Sequence, residues 1–339
     1  MHKAILWRPG KNNAVQCTLC CHYCLIPAGG KGACGVRLND RGVLYTLVAD
    51  NAAALNLDPV EKKPLFHFLP GTQTLSLGTE GCNMGCVFCQ NHHLSQPVRA
   101  GKKPAGTPVS PDSLVKFALH SGAQSISYTY TEPTVFSELV ISTSAAAAEH
   151  GLKNILVSNG YQSPEALSRL DATIHAANFD LKSFSDNFYR AHCGARLKPV
   201  LRTLRAAKKY GWWVEITTLV IDGMNDSMEE LQAIATFIAA ELGQDVPWHV
   251  SRFHPAYRMT GSAPTVPAAI ERALESGYKA GLRFVYAGNM PGHAAENTYC
   301  PVCGQLLISR VGFTAHFNTA GRCARCNTTL PGIWTREQF

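Results

Sequence analysis

Cys82, Cys86 and Cys89 stand at C-x3-C-x2-C spacing in Gly78-Thr79-Glu80-Gly81-Cys82-Asn83-Met84-Gly85-Cys86-Val87-Phe88-Cys89. Thiolates are soft ligands, and three of them on one short loop fit three corners of an iron–sulfur cubane. Holding every iron by cysteine would need a fourth. With three, one iron keeps an open position where a substrate or cofactor can bind. A zinc ion completed by His92 or His93 is the alternative that spacing leaves open.

Two further groups have metal-ligand spacing. Cys300 with Cys303 and Cys323 with Cys326 form two C-x2-C knuckles, with Gly304 after the first and Gly321 before the second. Four thiolates so placed close a tetrahedral shell, which is a structural zinc ribbon. A tail this short builds little core, so metal is expected to be its main stabilisation. Cys17, Cys20, Cys24 and Cys34 are spaced C-x2-C-x3-C-x9-C around a loop with Gly29, Gly30 and Gly32, and Cys21 is extra. These four suffice for tetrahedral zinc or for an accessory four-iron cluster; zinc is the expectation. Cys193, in His192-Cys193-Gly194-Ala195-Arg196, reads as a small buried hydrophobe. The sharper alternative is a thiol near the cofactor pocket, able to relay a hydrogen atom or ligate a cluster.

Composition supports metal over disulfides. The chain has 339 residues, thirteen cysteines, 46% hydrophobic and 16% charged residues. That apolar fraction rules out general disorder. No run approaches the ~20 apolar residues of a membrane span. The start, Met1-His2-Lys3-Ala4-Ile5-Leu6-Trp7-Arg8-Pro9, lacks the features of a signal peptide, so a reducing cytoplasm is expected. There, clustered cysteines favour metal or catalysis. The net charge of +7 permits an anionic partner without demanding nucleic acid.

Something must position these groups. The cysteines divide the chain into a Cys-rich metal-binding module over 1–70, a central domain over 71–290 and a ribbon over 291–339. In the centre, apolar runs read as buried parallel strands: Thr74–Leu77, Ser125–Tyr130, Asn154–Val157, Asn178–Leu181, Trp213–Ile221, His249–Phe253 and Arg283–Ala287. Helix starts lie between them at Ser110-Pro111-Asp112, Ser163-Pro164-Glu165 and Asp226-Ser227-Met228-Glu229. The tract Ser144–Ala148 continues a helical pattern. Alternation of this kind implies an α/β fold with a parallel sheet, open or closed into a barrel. In a barrel, active-site residues belong at the C-terminal strand ends. The connector Asp58–His67 is assigned no chemistry.

At Cys82, Cys86 and Cys89 the chain resembles the radical S-adenosylmethionine (radical SAM) superfamily, whose signature has an aromatic before the last cysteine; Phe88 stands there. The resemblance implies a partial (β/α)6-type TIM-like barrel and a [4Fe-4S] cluster whose open iron is chelated by S-adenosylmethionine. One electron then cleaves the sulfonium to a 5′-deoxyadenosyl radical, which abstracts a hydrogen atom. Further matches follow family order at strand ends. Thr129-Tyr130-Thr131-Glu132-Pro133 resembles the segment receiving the cofactor's amino group, with Glu132 as acceptor. Ser158-Asn159-Gly160 and Asp180-Leu181-Lys182 resemble segments of glycyl-radical-enzyme activases, the lysine reaching the cofactor. His254 in Arg252-Phe253-His254-Pro255 matches a cofactor-contacting histidine of those enzymes. Leu219–Asp226 resembles their fifth-strand turn. Some activases carry an acid where this chain has Val157, so the ribose contact is expected from Ser158 or Asn159.

Together with Asn297-Thr298-Tyr299-Cys300-Pro301 and Pro331-Gly332-Ile333-Trp334, these elements resemble the AmmeMemoRadiSam-system radical SAM enzymes, related to pyruvate formate-lyase activating enzymes. That implies an activating-enzyme-like oxidoreductase or lyase, an electron donor such as flavodoxin or ferredoxin, and AMMECR-domain and Memo-domain partners. The substrate is a protein or small molecule. The alternatives are a glycyl-radical-enzyme activase, an RNA-modifying radical SAM enzyme, and a non-enzymatic, zinc-dependent nucleic-acid-binding protein.

Overall fold

The structure is a computed structural model that describes residues 1–317, 319 and 321–335. Its centre is an eight-stranded sheet. The strands are β1 (Ala54–Pro59), β2 (Gln73–Gly78), β3 (Ser125–Tyr128), β4 (Lys153–Ser158), β5 (Ala176–Asp180), β6 (Trp213–Val220), β7 (Trp248–Arg252) and β8 (Val285–Gly288). They lie side by side in chain order, and β2 to β8 are all parallel. With β1 and β8 at opposite ends, the sheet is a partial TIM-like barrel. All seven strands expected from sequence are present. The eighth, β1, was not expected; it pairs antiparallel with β2 at the edge, where Leu55, Asn56 and Leu57 are exposed and Asp58 is buried.

The helices start where the sequence marks them. Pro111–His120 (α1) opens on a capping box between Ser110 and Ser113. Ser137–Glu149 (α2) contains the alanine tract. Pro164–Ser168 (α3) and Met228–Phe237 (α5) are capped by the Ser163 and Ser227 hydroxyls. Leu197–Lys209 (α4) and Pro267–Lys279 (α6) complete the outer layer. Strand β3 is buried at every position, with Ile126 and Tyr128 on one face and Ser125 and Ser127 on the other, as a parallel strand covered on both sides is.

Two small modules dock at opposite ends of the strands. The amino-terminal one is built of short antiparallel strands, including Val15–Cys17, Leu25–Ile26, Arg37–Asp40 and Val43–Thr46. Its core of Val15, Leu19, Ile26 and Leu44 touches Ala166 of α3. Arg37, almost fully buried, reaches Glu138 of α2 at 2.7 Å. Cys20 bridges to Gln162, past the end of β4.

The carboxyl-terminal tail forms strands β9 (Thr298–Tyr299), β10 (Leu306–Val311) and β11 (Thr314–Phe317), all antiparallel. It plugs the N-terminal end of the sheet. Glu215, near the start of β6, accepts from the backbone N–H of Phe66 and His67, from Trp213 Nε1 and from His249 Nε2 at 2.6 Å. His67 contacts the Tyr286 hydroxyl and the Pro331 carbonyl. Arg310 of β10 lies over the Phe66 ring and donates to Thr298. Burial works against the Glu215 charge, but His249, His67 and backbone donors hold its carboxyl below the usual range. No helix among the described residues is long and apolar enough to cross a membrane.

Candidate functional site

The 78–89 loop leaves the C-terminal end of β2, where barrel chemistry is expected. Two glycines set its path. A Cβ on Gly78 would lie 2.7 Å from the Thr129 carbonyl oxygen after β3. Gly81 has φ +105°, and a Cβ there would press on Val36 and the Cys34 carbonyl of the amino-terminal module. The loop is then clamped. Gly85 N–H donates to the Cys193 carbonyl at 2.9 Å, Val87 N–H to the His192 carbonyl at 3.0 Å, and Arg258 N–H to the Val87 carbonyl at 3.0 Å. Arg99 donates to the Cys82 carbonyl at 3.0 Å.

Around the three sulfurs lie donors and charges from the next strand ends. Met84 N–H points at Cys82 Sγ, and Cys89 Sγ meets the Ser95 hydroxyl at 3.3 Å. Asn159 Nδ2 donates to Asn83 Oδ1 at 2.8 Å and lies 3.8 Å from Cys82 Sγ. Glu132, nearly inaccessible, accepts from Thr134 N–H and hydroxyl, Ser158 hydroxyl and Asn159 N–H. Its carboxylate therefore ties the end of β3 to the turn after β4. Burial pushes the Glu132 carboxyl up. Ser158 also accepts from Gly160 N–H and Gln162 Nε2, so the 158–162 turn is fixed by its own side chains.

Beyond β5, Lys182 Nζ pairs with Asp180 at 2.9 Å and lies 6.0 Å above the buried Phe88 ring. Burial opposes its charge, yet Asp180, Cys86 and Cys193 outweigh this and hold the ammonium well above its usual range. Cys193 is fully buried with its thiol against Cys86. That contact lowers Cys86 and raises Cys193. Cys193 is thus the buried core residue expected, and it is also a neighbour of the Cys86 thiol.

The sequence-selected residues gather unevenly. Cys82, Cys86, Cys89, Phe88, Asp180 and Lys182 make one cluster; Glu132, Ser158 and Asn159 make a second that joins it through Asn83. His254 stands exposed two residues past β7, outside those hydrogen bonds, and is no core histidine. His92 faces the Cys89 carbonyl and stacks on Tyr257, and among the described residues neither it nor His93 joins the three sulfurs in a set within 4.8 Å. Sequence reasoning missed the clamp from 192–193 and from Arg258. It also missed Asn225, whose carboxamide joins Ile221 N–H, the Leu219 carbonyl and the Lys182 carbonyl. The wide turn Tyr189–Cys193, a π-helix ending on left-handed Gly194, delivers Cys193; a lone Gly after the cysteine was the available signal.

The ribbon cysteines behave differently. Cys300, Cys303, Cys323 and Cys326 bring their sulfurs within 4.8 Å of one another, with pairs at 3.5 and 3.6 Å. Tetrahedral zinc with bonds of about 2.3 Å spaces its sulfurs by about 3.8 Å. Among the described residues this is the group that meets so closely. Cys82, Cys86 and Cys89 do not form such a set within 4.8 Å.

Residues 76–238 match the Radical SAM superfamily. An uncharacterized protein of Methanocaldococcus jannaschii is 43% identical over 318 residues, 93% of each chain. Among solved structures, a radical SAM methyltransferase from Sphaerobacter thermophilus superposes with a TM-score of 0.51 at 16% identity, covering 70% of this chain and 71% of that one. SuiB of Streptococcus suis, bound to S-adenosylmethionine, gives 0.50 at 15% identity over 71% of this chain and 56% of its own. At these identities the two structures speak for the fold.

Proposed function

This chain belongs to the radical SAM superfamily, and on that premise we propose that it holds a [4Fe-4S] cluster on Cys82, Cys86 and Cys89 and reductively cleaves S-adenosylmethionine to act on a protein or small-molecule substrate. The observation that carries the reading is the ring of buried polar groups around a three-thiol loop. Two of those groups fit an absent ligand: Asn83 Nδ2 and Gln162 Oε1 are buried with no partner. Buried polar atoms without partners are rare and costly. A donor and an acceptor beside the loop suit a zwitterionic, hydroxyl-bearing cofactor.

When bound, the cluster supplies one electron and an open iron, and the cofactor supplies the 5′-deoxyadenosyl radical. This chain's residues do the rest. Lys182, kept charged by Asp180, faces the loop and can meet a carboxylate. Glu132 fixes the turn that presents Ser158 and Asn159, and its second oxygen can take one more donor. Phe88 walls the loop with Phe188 and excludes water. His254 borders the opening after β7.

The division into a 1–70 metal module, a 71–290 barrel and a 291–339 zinc ribbon is part of the same proposal. So are zinc on Cys300, Cys303, Cys323 and Cys326, a metal at Cys17, Cys20, Cys24 and Cys34, a flavodoxin- or ferredoxin-class donor, and AMMECR-domain and Memo-domain partners. Thiol chemistry of this kind suits a reducing cytoplasm. Family membership implies catalysis, which displaces a purely nucleic-acid-binding role.

The test is electron paramagnetic resonance of the reduced, anaerobically loaded protein. Adding S-adenosylmethionine should change the cluster signal, because the cofactor takes the open iron. A spectrum indifferent to saturating cofactor would sink the reading.

A further inference from the structure

The amino-terminal cysteines repeat the contrast between wide and tight sulfur sets. Cys17, Cys20, Cys24 and Cys34 lie near enough to influence one another electrostatically: after burial and Arg37, Cys34 and Cys24 act on Cys17, and Cys34, Cys17 and Cys24 act on Cys20. Yet they do not converge within 4.8 Å as the ribbon sulfurs do. A single zinc ion would demand that convergence; a cubane demands the wider spread. Cys21 is not a fifth member. Its sulfur turns away to the Gln162 carbonyl at 2.9 Å and Arg202 at 3.0 Å.

The surroundings are those of a charged, buried group. Backbone N–H groups of Leu19, His22, Val36 and Arg37 point at the sulfurs of Cys17, Cys20 and Cys34. The Arg37 guanidinium is buried beside Cys17 and Cys34; one amino group pairs with Glu138 and the other with the Ile5 carbonyl, while its Nε has no hydrogen-bond partner. A buried cation with a free N–H suits the anionic sulfur surface of a thiolate-ligated cluster. The pocket leaves little room for side chains: a Cβ on Gly32 would come 3.3 Å from Ile26 and 3.8 Å from Cys34 Sγ.

The module also touches the central loop. His22, on the Cys20–Cys24 turn, contacts the Asn83 carbonyl at 2.7 Å. The Cys34 carbonyl lies against Gly81, beside Cys82. Cys34 and Val36 share one apolar core with Met84, Cys86 and Phe88.

We propose that Cys17, Cys20, Cys24 and Cys34 hold a second four-iron cluster, fully ligated by thiolate, that passes electrons singly to the central cluster; its relay role rests on the central cluster being present. With every iron held by cysteine, no position is open for a substrate, which leaves electron transfer as its chemistry. Each transfer oxidises the amino-terminal cluster by one electron and reduces the central one by one. A low-potential flavin or iron–sulfur protein then restores the first, and no proton moves. This replaces the zinc expected from spacing alone.

The experiment uses the full chain loaded anaerobically with iron, sulfide and zinc. Wild type should hold about eight iron and one zinc. A Cys82→Ala/Cys86→Ala/Cys89→Ala variant should keep half the iron, with a reduced-state resonance that S-adenosylmethionine does not alter. A Cys20→Ala/Cys34→Ala variant should keep the other half, with a resonance the cofactor does alter, and reduction of that cluster by a flavodoxin-class donor should slow at least tenfold while dithionite still reduces it. Ribbon zinc and circular dichroism verify folding in each variant. About four iron and two zinc in wild type would overturn the second cluster whatever the variants do. Iron retained as stated with unchanged donor kinetics would overturn the relay. An iron-free Cys20→Ala/Cys34→Ala variant beside a half-loaded triple variant would count against the central reading instead.

Discussion

The cysteine loop at the mouth of the barrel and the cysteine knuckles of the tail use the same ligand atom to different ends. The knuckles close four sulfurs on one point, with pairs at 3.5 and 3.6 Å. The mouth loop offers three sulfurs and surrounds them with Lys182, Asp180, Asn159, the orphaned Asn83 Nδ2 and the Cys193 thiol. A closed shell needs only itself. An open one needs neighbours that recognise what completes it. The two buried glutamates make the same point: Glu215 is held charged by histidines at the base, where the tail docks. Glu132 has no cation among its close partners and is pushed up, at the end where chemistry belongs.

The comparison breaks most sharply at Cys86. Cys86→Ala should abolish central-cluster iron and all 5′-deoxyadenosine, since two thiolates cannot hold the cubane; product at wild-type level would mean the loop is not the centre. Cys303→Ser with Cys323→Ser should instead remove the zinc and cost the tail several kcal/mol, on the order of the ~10 kcal/mol a structural zinc contributes. Thermal melting should fall, while product per loaded central cluster stays at the wild-type level. Lys182→Met should keep iron and lower the rate of cofactor cleavage by about 10–100-fold, as outer partners of a metal site do. An unaffected rate would leave the lysine as a plain ion-pair partner of Asp180. Smallest is Cys193→Ala. Iron and fold persist, and losing one hydrogen bond to the Cys86 sulfur moves the cluster to a more negative potential, read by redox titration.

Much of this was legible in the sequence, for identifiable reasons. Parallel strands buried on both faces are apolar runs, and Ser110, Ser163 and Ser227 announce their helices through local hydrogen bonds. Thiols on tight turns are close in sequence, so the convergence of the four ribbon cysteines could be read from spacing. What escaped depends on pairs far apart in the chain. Cys193 reaches Cys86 only through the wide turn that ends at Gly194. Arg258 clamps Val87 from beyond β7. Strand β1 hid because its exposed run Leu55-Asn56-Leu57 shows no buried–exposed alternation, so that its partner alone marks it as a strand. Glu132 was found by resemblance to a cofactor-binding segment; its hydrogen bonds show that it also holds the next turn in place.

The most direct measurement is 5′-deoxyadenosine itself. Protein carrying a spectroscopically verified central cluster is reduced with dithionite beside S-adenosylmethionine, and the nucleoside is quantified by liquid chromatography. At least one equivalent per central cluster, absent without reductant, is the predicted result. None, from a cluster shown to be intact and reduced, would contradict the assignment of Cys82, Cys86 and Cys89.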